Sequence, residues 1–382
     1  MAEEGAGRAR SFNKIVNWFR RVPDDDWFAL GCALAIKVLL LVLGFKALAI
    51  FDNKRISGFE QWLQLWNRWD SKQILAVAQM GYSKGAHLVI YPLYPWLVRA
   101  SGFVTGQYFH SAMMISAISL FAAVLVFRRL VLLDYSGEVA QRAVWFFLIF
   151  PTAYFLHTGY TEAFFLLLVF TCFLAARTDR WAVAGVVGAL ACMTRANGLA
   201  LIPALVVEAV QKWRTGPRKW RWSWLWILVV PLGFGVFLLI NLHVAGSALA
   251  WFETRRQHFR TSPAPPWHGI MEAINNLHRH PSQAEIVGFQ ELFFVALTFV
   301  CVVASWWKLR PVYATWITVN WLGFASLSFI QSAPRYALSC FPIFILFGLL
   351  GKNRFCLAAL SAWSLLFLAL FSILFARGWW AF

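Results

Sequence analysis

Charged side chains are scarce in this sequence, and acidic side chains are the scarcest of them. Only 13% of the 382 residues are charged, with 17 Asp and Glu against 34 Lys and Arg, whereas 60% are hydrophobic. An average soluble domain carries about 25% charged residues, so the composition excludes an ordinary soluble protein. Several apolar runs approach the roughly 20 residues that cross a bilayer as a helix. The sequence therefore predicts an all-α, polytopic integral membrane protein.

Motifs that define several enzyme classes are also missing. The sequence contains no P-loop, GxGxxG or HExxH pattern, which disfavours a nucleotide-driven enzyme. The six cysteines lack CxxC spacing and are interpreted as packing residues in apolar segments. The formal net charge of +17 is scattered through short loops, so no nucleic acid is expected as a partner.

About eleven apolar segments are predicted to span the membrane, and the Lys and Arg content of the loops orients them. The predicted spans are 27–50, 109–127, 143–156, 162–176, 181–193, 198–210 and 223–243, one that ends at Lys308, two that flank QSAPRY, and one that ends near Phe375. The short basic loops are assigned to the cytoplasm: 128–142, 177–180, 211–221, 308–310 and 352–354. Residues 1–26 are predicted to be a cytoplasmic N-terminal tail rather than a cleavable signal peptide, followed by a single transmembrane domain, 27–382.

The remaining loops are assigned to the outer face. They are two long loops, 51–108 and 244–290, and three turns, 157–161, 194–197 and 331–335. The helices that flank the turns HTGYTE and TRAN are short, and about 14 residues reach only about 21 Å of the roughly 30 Å hydrocarbon core. Polar backbone at that depth must line a cavity or be covered by protein. We therefore expect a cavity that opens to the outer leaflet below the long loops.

An acid in the first outer loop has two interpretations. In WNRWDSKQILAVAQMGY, Asp70 follows an aromatic-rich helix and precedes an amphipathic helix with Ile74, Leu75, Ala78 and Val77 on one side. This layout is typical of a helix–turn–helix at the membrane interface. Asp70-x-x-Gln73 has the form of a capping box, but a cap uses one carboxylate oxygen and leaves the other available for chemistry.

Three further charged residues lie at the outer turns. Glu162 opens the fourth span, where it either compensates the helix dipole or serves a function, because acids at membrane depth are costly. Arg195 and Arg335 are cations on the outer side, against the orientation rule. They either snorkel toward headgroups or bind an anion such as phosphate. Lys37 lies about 15 Å into the first span, so we expect it to have a partner inside the bundle.

Two other outer segments carry candidate residues. FETRRQHFR contains Arg255 and Arg256, which are placed to meet lipid headgroups or a phosphate. In VIYPLYPWLVR each proline follows a tyrosine, so Tyr91 and Tyr94 are predicted to be extended. That segment either shapes a lipid groove or ends a helix.

Four segments together resemble one family of membrane enzymes. RWDSKQILAVAQMGY with YPLYP, FPTAYFLHTGYTEAFFLLLVF, MTRANGLALIPAL and PRYALSCFPIF are similar, in order, to GPI mannosyltransferase II (PIG-V type) and its bacterial relatives. These belong to the GT-C superfamily of polyprenyl-phosphate-sugar-dependent glycosyltransferases. The chain departs from the family at Lys72-Gln73-Ile74, where an aromatic or His-Tyr pair is usual, and at Ile90-Tyr91-Pro92.

The resemblance implies a GT-C-like bundle with interfacial helices in the first outer loop. It also implies an inverting transfer of mannose from a polyprenyl or dolichyl phosphate to a glycolipid or glycan acceptor on the outer face. Asp70 is the expected general base, and Glu162 is expected to orient the acceptor or the sugar. Arg335, Arg195, Lys72, Arg255 and Arg256 are the candidates for the donor phosphate. Trp69, Tyr91, Tyr94, Tyr160, Tyr336 and Asn197 are the candidates for the substrate or lipid groove.

No cofactor is expected, since a lone Asp70 is a poor divalent-metal site. The alternatives are a GT-C enzyme that uses another sugar, a lipid transporter or flippase, and a scaffold that has lost catalysis. A membrane of lipids surrounds the chain in each case. The short chain favours a bacterial plasma membrane over the endoplasmic reticulum of a eukaryote.

Overall fold

The computed structural model describes residues 23–53, 56–279 and 288–382. These ranges form α-helices that are joined by turns and short 3₁₀ helices, and no β-strand occurs within them. The predicted all-α class is confirmed. Most of the predicted N-terminal tail and part of the second long outer loop lie outside the described residues.

Seventeen α-helices occur in the described part of the chain. They are α1 Asp24–Phe51, α2 Phe59–Gln64, α3 Asp70–Met80, α4 Leu93–Thr105, α5 Tyr108–Leu132, α6 Gly137–Ile149, α7 Glu162–Arg177, α8 Trp181–Cys192, α9 Leu201–Thr215, α10 Val230–Ala245, α11 Ala250–Phe259, α12 Pro266–Arg279, α13 Phe289–Lys308, α14 Pro311–Ala325, α15 Ala333–Ser339, α16 Pro342–Leu350 and α17 Arg354–Arg377. Four 3₁₀ helices lie between them, at Ala86–Val89, Ala153–His157, Ala196–Ala200 and Trp222–Val229.

The predicted spans all fall on helical segments, but their number is not confirmed. Within the described ranges, five helices are long and apolar enough to cross a membrane: α1, α5, α10 with its preceding 3₁₀ turn, α13 and α17. The pair α15 and α16 would be a sixth, although it bends by 81°. Helices such as α8, with 12 residues, rise only about 18 Å. The figure of about eleven spans stays a prediction.

The centre of the bundle is aromatic and closely packed. Phe127 of α5 stacks on Phe170 of α7, with ring centroids 4.6 Å apart, and meets Phe147 of α6 edge-on at 5.7 Å. Helix α8 crosses α10 at Gly233, where an added Cβ would lie 1.8 Å from the Ala189 carbonyl oxygen. Small residues at helix crossings allow this close approach in membrane proteins. The short helices α6 to α8 are therefore held by protein contacts rather than by their own length.

An ionic cluster joins several of the basic loops at one end of the bundle. Arg177, the last residue of α7, makes two hydrogen bonds to the carboxylate of Asp134, at 2.6 and 2.8 Å. Tyr313 donates to the same carboxylate at 3.1 Å, and Arg310 lies 3.5 Å from it. Glu208, fully buried, lies 3.4 Å from the guanidinium of Arg177. Loops that were assigned to one side by their charge therefore do share one end of the molecule.

The first outer loop forms the expected pair of short helices, α2 and α3. Helix α3 buries Ile74, Leu75, Val77 and Ala78, which confirms the predicted apolar side. The prediction that Tyr94 is extended is wrong, since Tyr94 lies in the first turn of α4. Pro95 is tolerated there because the first N–H groups of a helix have no partner within the helix.

Candidate active site

Four charged side chains from distant parts of the chain meet at the other end of α7. The guanidinium of Arg335 donates to Asp70 Oδ2 at 2.6 Å and to Glu162 Oε1 at 2.5 Å. Arg195 donates to the same Glu162 oxygen at 2.5 Å and to the hydroxyl of Thr161 at 2.9 Å. The order Asp70–Arg335–Glu162–Arg195 alternates negative and positive groups. Both outer-side arginines therefore have carboxylate partners, and neither is simply extended toward headgroups.

Burial is graded along this row of charges. The side chain of Glu162 is 0% exposed and that of Arg335 is 12% exposed, whereas that of Asp70 is 44% exposed. The cluster is therefore closed at Glu162 and open at Asp70. Of the two carboxylates in the cluster, that of Asp70 is the one that can be reached from outside the protein. Glu162 does not reach the surface in this structure, so it serves to hold the two arginines.

Aromatic rings fix the orientation of Arg335. Its guanidinium lies over the ring of Phe155, 4.6 Å from the centroid, and over Tyr160, at 5.0 Å. The Tyr160 hydroxyl donates to the carbonyl of Arg68 at 2.7 Å, which ties the turn before α7 to the residues that precede α3. Cation–π contacts of this kind stabilise a buried cation. Of the groove candidates, Tyr160 is thus part of the charged cluster itself.

A buried acid that the sequence did not single out holds the segment before Arg335. The carboxylate of Glu291, in the first turn of α13, accepts hydrogen bonds from the backbone N–H groups of Ser332 and Ala333, at 2.6 and 2.5 Å. Ser332 has a left-handed backbone with φ 65°. The sequence feature that could have identified Glu291 is an acidic residue in the first turn of an apolar helix. Glu291 therefore positions Arg335 through the backbone.

The capping interpretation of Asp70 is wrong. Helix α3 begins at Asp70 itself, its N-cap is Trp69, and no side chain caps it. Trp69, directly before it, has a positive φ of 46°, which is rare for a residue with a side chain. Within the described residues, Arg335 is the one hydrogen-bond partner of the Asp70 carboxylate. Asp70 Oδ1 thus has no hydrogen-bond partner in the part of the chain that the structure describes.

Comparison with known proteins adds a family to this geometry. Residues 54–216 match the profile of the family described as mannosyltransferase (PIG-V). That segment carries Asp70, Glu162 and Arg195. The match covers less than half of the chain, so it shows a similarity of that segment to the family. The resemblance expected from the sequence is confirmed for that segment.

Comparisons with curated sequences and with solved structures do not identify a further family. No curated protein has a significantly similar sequence. Among solved structures, the chain is similar to the oligosaccharyltransferase of Archaeoglobus fulgidus, crystallised with zinc and sulfate, at 11% identity and a TM-score of 0.42. The similarity covers 88% of this chain and 53% of that enzyme, so the chain spans about half the length of that protein.

Arg335 lies outside the matched PIG-V segment, and so do both arginines of α11. Arg256 pairs with Glu253 at 3.0 Å on an exposed surface, where hydrogen bonds from Arg256 and from Gln257 lower the pKa of Glu253. Arg255 is half-buried and has no side-chain partner among the described residues. Arg255, rather than Arg256, is therefore available to a ligand.

Tyr91 lies beside the turn that carries Arg195. The backbone N–H of Leu93 donates to the carbonyl of Met193 at 3.0 Å, which fixes the two turns together. Burial raises the pKa of Tyr91, and the nearby positive charges of Arg255 and Arg195 oppose that shift. Tyr91 thus lies near two of the arginines that the sequence singles out for the donor phosphate, and its assignment to the substrate or lipid groove stays a prediction.

Other groove candidates have different surroundings. Tyr94 is fully buried and donates to the Ala112 carbonyl at 2.9 Å, so it is a packing residue in this structure. Tyr336 stacks on Phe324 with centroids 6.0 Å apart. Asn197 is half-buried in the 3₁₀ turn after Arg195.

Lys72 does not join the cluster. It is exposed on α3, and residues two positions apart on a helix face different directions. Because Asp70 faces Arg335, Lys72 points away from that contact and has no ion-pair partner in the part of the chain that is described. A contact between Lys72 and a phosphate stays a prediction.

Two side chains complete the surroundings of the site. Trp69, 45% exposed, meets Trp380 edge-on with centroids 5.3 Å apart, so the segment after α17 reaches the entrance at Asp70. Lys37 donates to the carbonyl of His157 at 3.0 Å, which supplies the partner expected inside the bundle. Both contacts support the turns that carry the cluster.

No group of three or more His, Cys, Asp or Glu side chains that would suit a metal ion occurs in the described ranges. The acids of the cluster are instead engaged by arginines. A reaction without a metal cofactor stays a prediction.

Proposed function

We propose that the protein transfers mannose from a polyprenyl- or dolichyl-phosphate donor to a glycolipid or glycan acceptor on the outer face. The observation that carries this proposal is the Asp70 carboxylate, which is open to substrate on one side and held by Arg335 on the other. It is supported by the PIG-V match over the same segment.

The proposed reaction is one displacement at the anomeric carbon. Asp70 accepts the proton of the acceptor hydroxyl, whose oxygen forms the new bond to the anomeric carbon as the bond to the phosphate oxygen breaks. The lipid phosphate leaves with the electron pair of that bond. Because the acceptor attacks opposite the leaving group, the configuration inverts.

The basic side chains divide the remaining work. Arg335 keeps Asp70 oriented through Nη1, and its Nη2, which has no hydrogen-bond partner among the described residues, is available to the departing phosphate. Arg195 and Arg255 supply further positive charge to the departing phosphate, which is where an enzyme gains most from fixed dipoles and cations. Glu162 holds Arg195 and Arg335 in place.

The test is transfer by the full chain reconstituted in lipid vesicles. Radiolabelled polyprenyl-phosphate mannose and a membrane lipid extract are supplied, and labelled product is measured with its anomeric configuration. Asp70→Asn should lower the rate at least about 100-fold, the scale of general-base loss. Asp52→Asn is the matched control, since Asp52 also pairs with an arginine, Arg377, at 2.8 Å.

Each other outcome identifies an alternative. Near-normal transfer by Asp70→Asn would exclude Asp70 as the base. Transfer from polyprenyl-phosphate glucose but not from the mannose donor would assign another sugar. Movement of labelled lipid between leaflets without sugar transfer would indicate a transporter.

A further inference from the structure

A buried hydroxyl without a protein partner lies next to the charged cluster. The Tyr91 hydroxyl oxygen is buried and has no hydrogen-bond partner among the described residues. Buried hydroxyls are almost always paired. Tyr94, three residues later, follows this rule, because its hydroxyl lies 2.9 Å from the Ala112 carbonyl and 2.8 Å from Ser116 Oγ.

The ring of Tyr91 is fixed, so its hydroxyl has a defined direction. It stacks on Phe237 of α10 with centroids 4.1 Å apart and an interplanar angle of 14°. Pro92 follows it, and the next residue, Leu93, is bonded to Met193 at 3.0 Å. The unpaired hydroxyl therefore does not result from a loose side chain.

Two cations lie close to this hydroxyl, since the positive charges of Arg255 and Arg195 both act on it. Arg195 follows Met193 by two residues, and it uses only Nη1 for Thr161 and Glu162. Helix α11, with Arg255, packs against the 3₁₀ turn Ala86–Val89 just before Tyr91. An O–H donor near two guanidinium groups suits an oxyanion, and phosphate oxygens accept bonds from both kinds of donor.

We propose that the Tyr91 hydroxyl donates a hydrogen bond to a non-bridging phosphate oxygen of the lipid-linked substrate, between Arg195 and Arg255. This proposal rests on the proposed function and extends it to a specific subsite. The same bond strengthens as the phosphate leaves and its charge grows.

The test uses Tyr91→Phe, which removes the hydroxyl and keeps the ring on Phe237. The probe is farnesyl phosphate, and its dissociation constant is measured by titration calorimetry on the full chain in detergent. We expect binding to weaken about tenfold, since hydrogen bonds to charged groups are worth that much or more. Binding of farnesol, which lacks the phosphate, should not change.

Tyr94→Phe is the matched control. It removes a paired hydroxyl, so it should lower the thermal midpoint of unfolding and leave farnesyl phosphate binding unchanged. Tyr91→Phe should retain or raise the midpoint, because it removes an unpaired polar group. If the Tyr91 hydroxyl had only a structural role, Tyr91→Phe would lower the thermal midpoint and leave farnesyl phosphate binding unchanged.

Several results would overturn the proposal. These are unchanged farnesyl phosphate binding in Tyr91→Phe, an equal loss for farnesol, or no binding by the wild-type chain. Inorganic phosphate that binds as tightly as farnesyl phosphate would show a free-anion site instead. Binding needs no sugar transfer, so a wild type that binds the probe but transfers no mannose defeats the proposed function alone.

Discussion

The guanidinium of Arg335 lies 2.6 Å from the carboxylate of Asp70, although the two residues are 265 positions apart. One belongs to the first outer loop and the other to a short helix near the end of the bundle. The contact keeps a half-exposed acid in one orientation. It also joins two distant segments of the chain at a carboxylate that is 44% exposed.

Replacing Arg335 by lysine tests that contact. A single ammonium group keeps the charge but cannot bond both Asp70 and Glu162 with a planar fork. Initial rates of mannose transfer should fall at least about 100-fold in Arg335→Lys, because base orientation and charge stabilisation are lost together. Arg377→Lys, in the Asp52 pair, is the control and should stay active. A fully active Arg335→Lys would mean that charge alone suffices.

Glu291 is expected to act through Arg335. In Glu291→Gln one of the two backbone N–H groups of Ser332 and Ala333 faces an amide NH₂ and loses its acceptor. We expect the free energy of unfolding to fall by about 1–3 kcal/mol and the transfer rate to fall while the donor KM changes little. Glu253→Gln, on an exposed helix, should change neither quantity. Activity that tracks only the amount of folded protein would reduce Glu291 to a structural role.

Lys37 is predicted to stabilise the turn that leads to the site. Lys37→Met leaves the buried His157 carbonyl without its donor, so unfolding should become easier by about 1–3 kcal/mol. Thermal unfolding followed by circular dichroism measures this. Lys46→Met, on an exposed position of the same helix, should have no such effect. Equal midpoints for the two variants would contradict the assigned role.

The ionic cluster at the opposite end should affect stability alone. Asp134→Asn removes the carboxylate that Arg177 bonds twice and leaves Glu208, at 3.4 Å, as the remaining anion beside Arg177, so we expect the free energy of unfolding to fall by about 1–3 kcal/mol. Glu138→Gln removes a surface pair with Arg142 and should cost no more than about 0.5 kcal/mol. Denaturant titrations compare the two variants. A changed KM for the donor in Asp134→Asn would contradict this prediction, because it would show that the ionic cluster affects substrate binding.

Much of the candidate site was predicted from the sequence. Asp70, Glu162, Arg195 and Arg335 were singled out because acids are rare in apolar chains and because two arginines break the loop-charge rule. The sidedness of the loops follows from the same bias. These are local properties of composition, so they need no knowledge of packing.

Other features were not accessible in this way. Whether Asp70 caps its helix depends on the backbone of Trp69 and on a partner far along the chain. The roles of Glu291 and of the Lys37–His157 contact depend on which backbone groups lie next to each side chain. The number of membrane spans could not be derived from apolar length either, because short helices such as α8 are held in place by contacts with neighbouring helices.

The sequence by itself determined that this is an all-helical protein with membrane-spanning composition. It also identified the charged residues that are too costly to bury without a partner or a function. The tertiary structure decided which of those charges meet, which oxygen of Asp70 stays open and which tyrosine hydroxyl lacks a partner. Burial costs can be read from residue type and position along a span. Pairing is a matter of distance between segments hundreds of residues apart, and only the packed bundle fixes that distance.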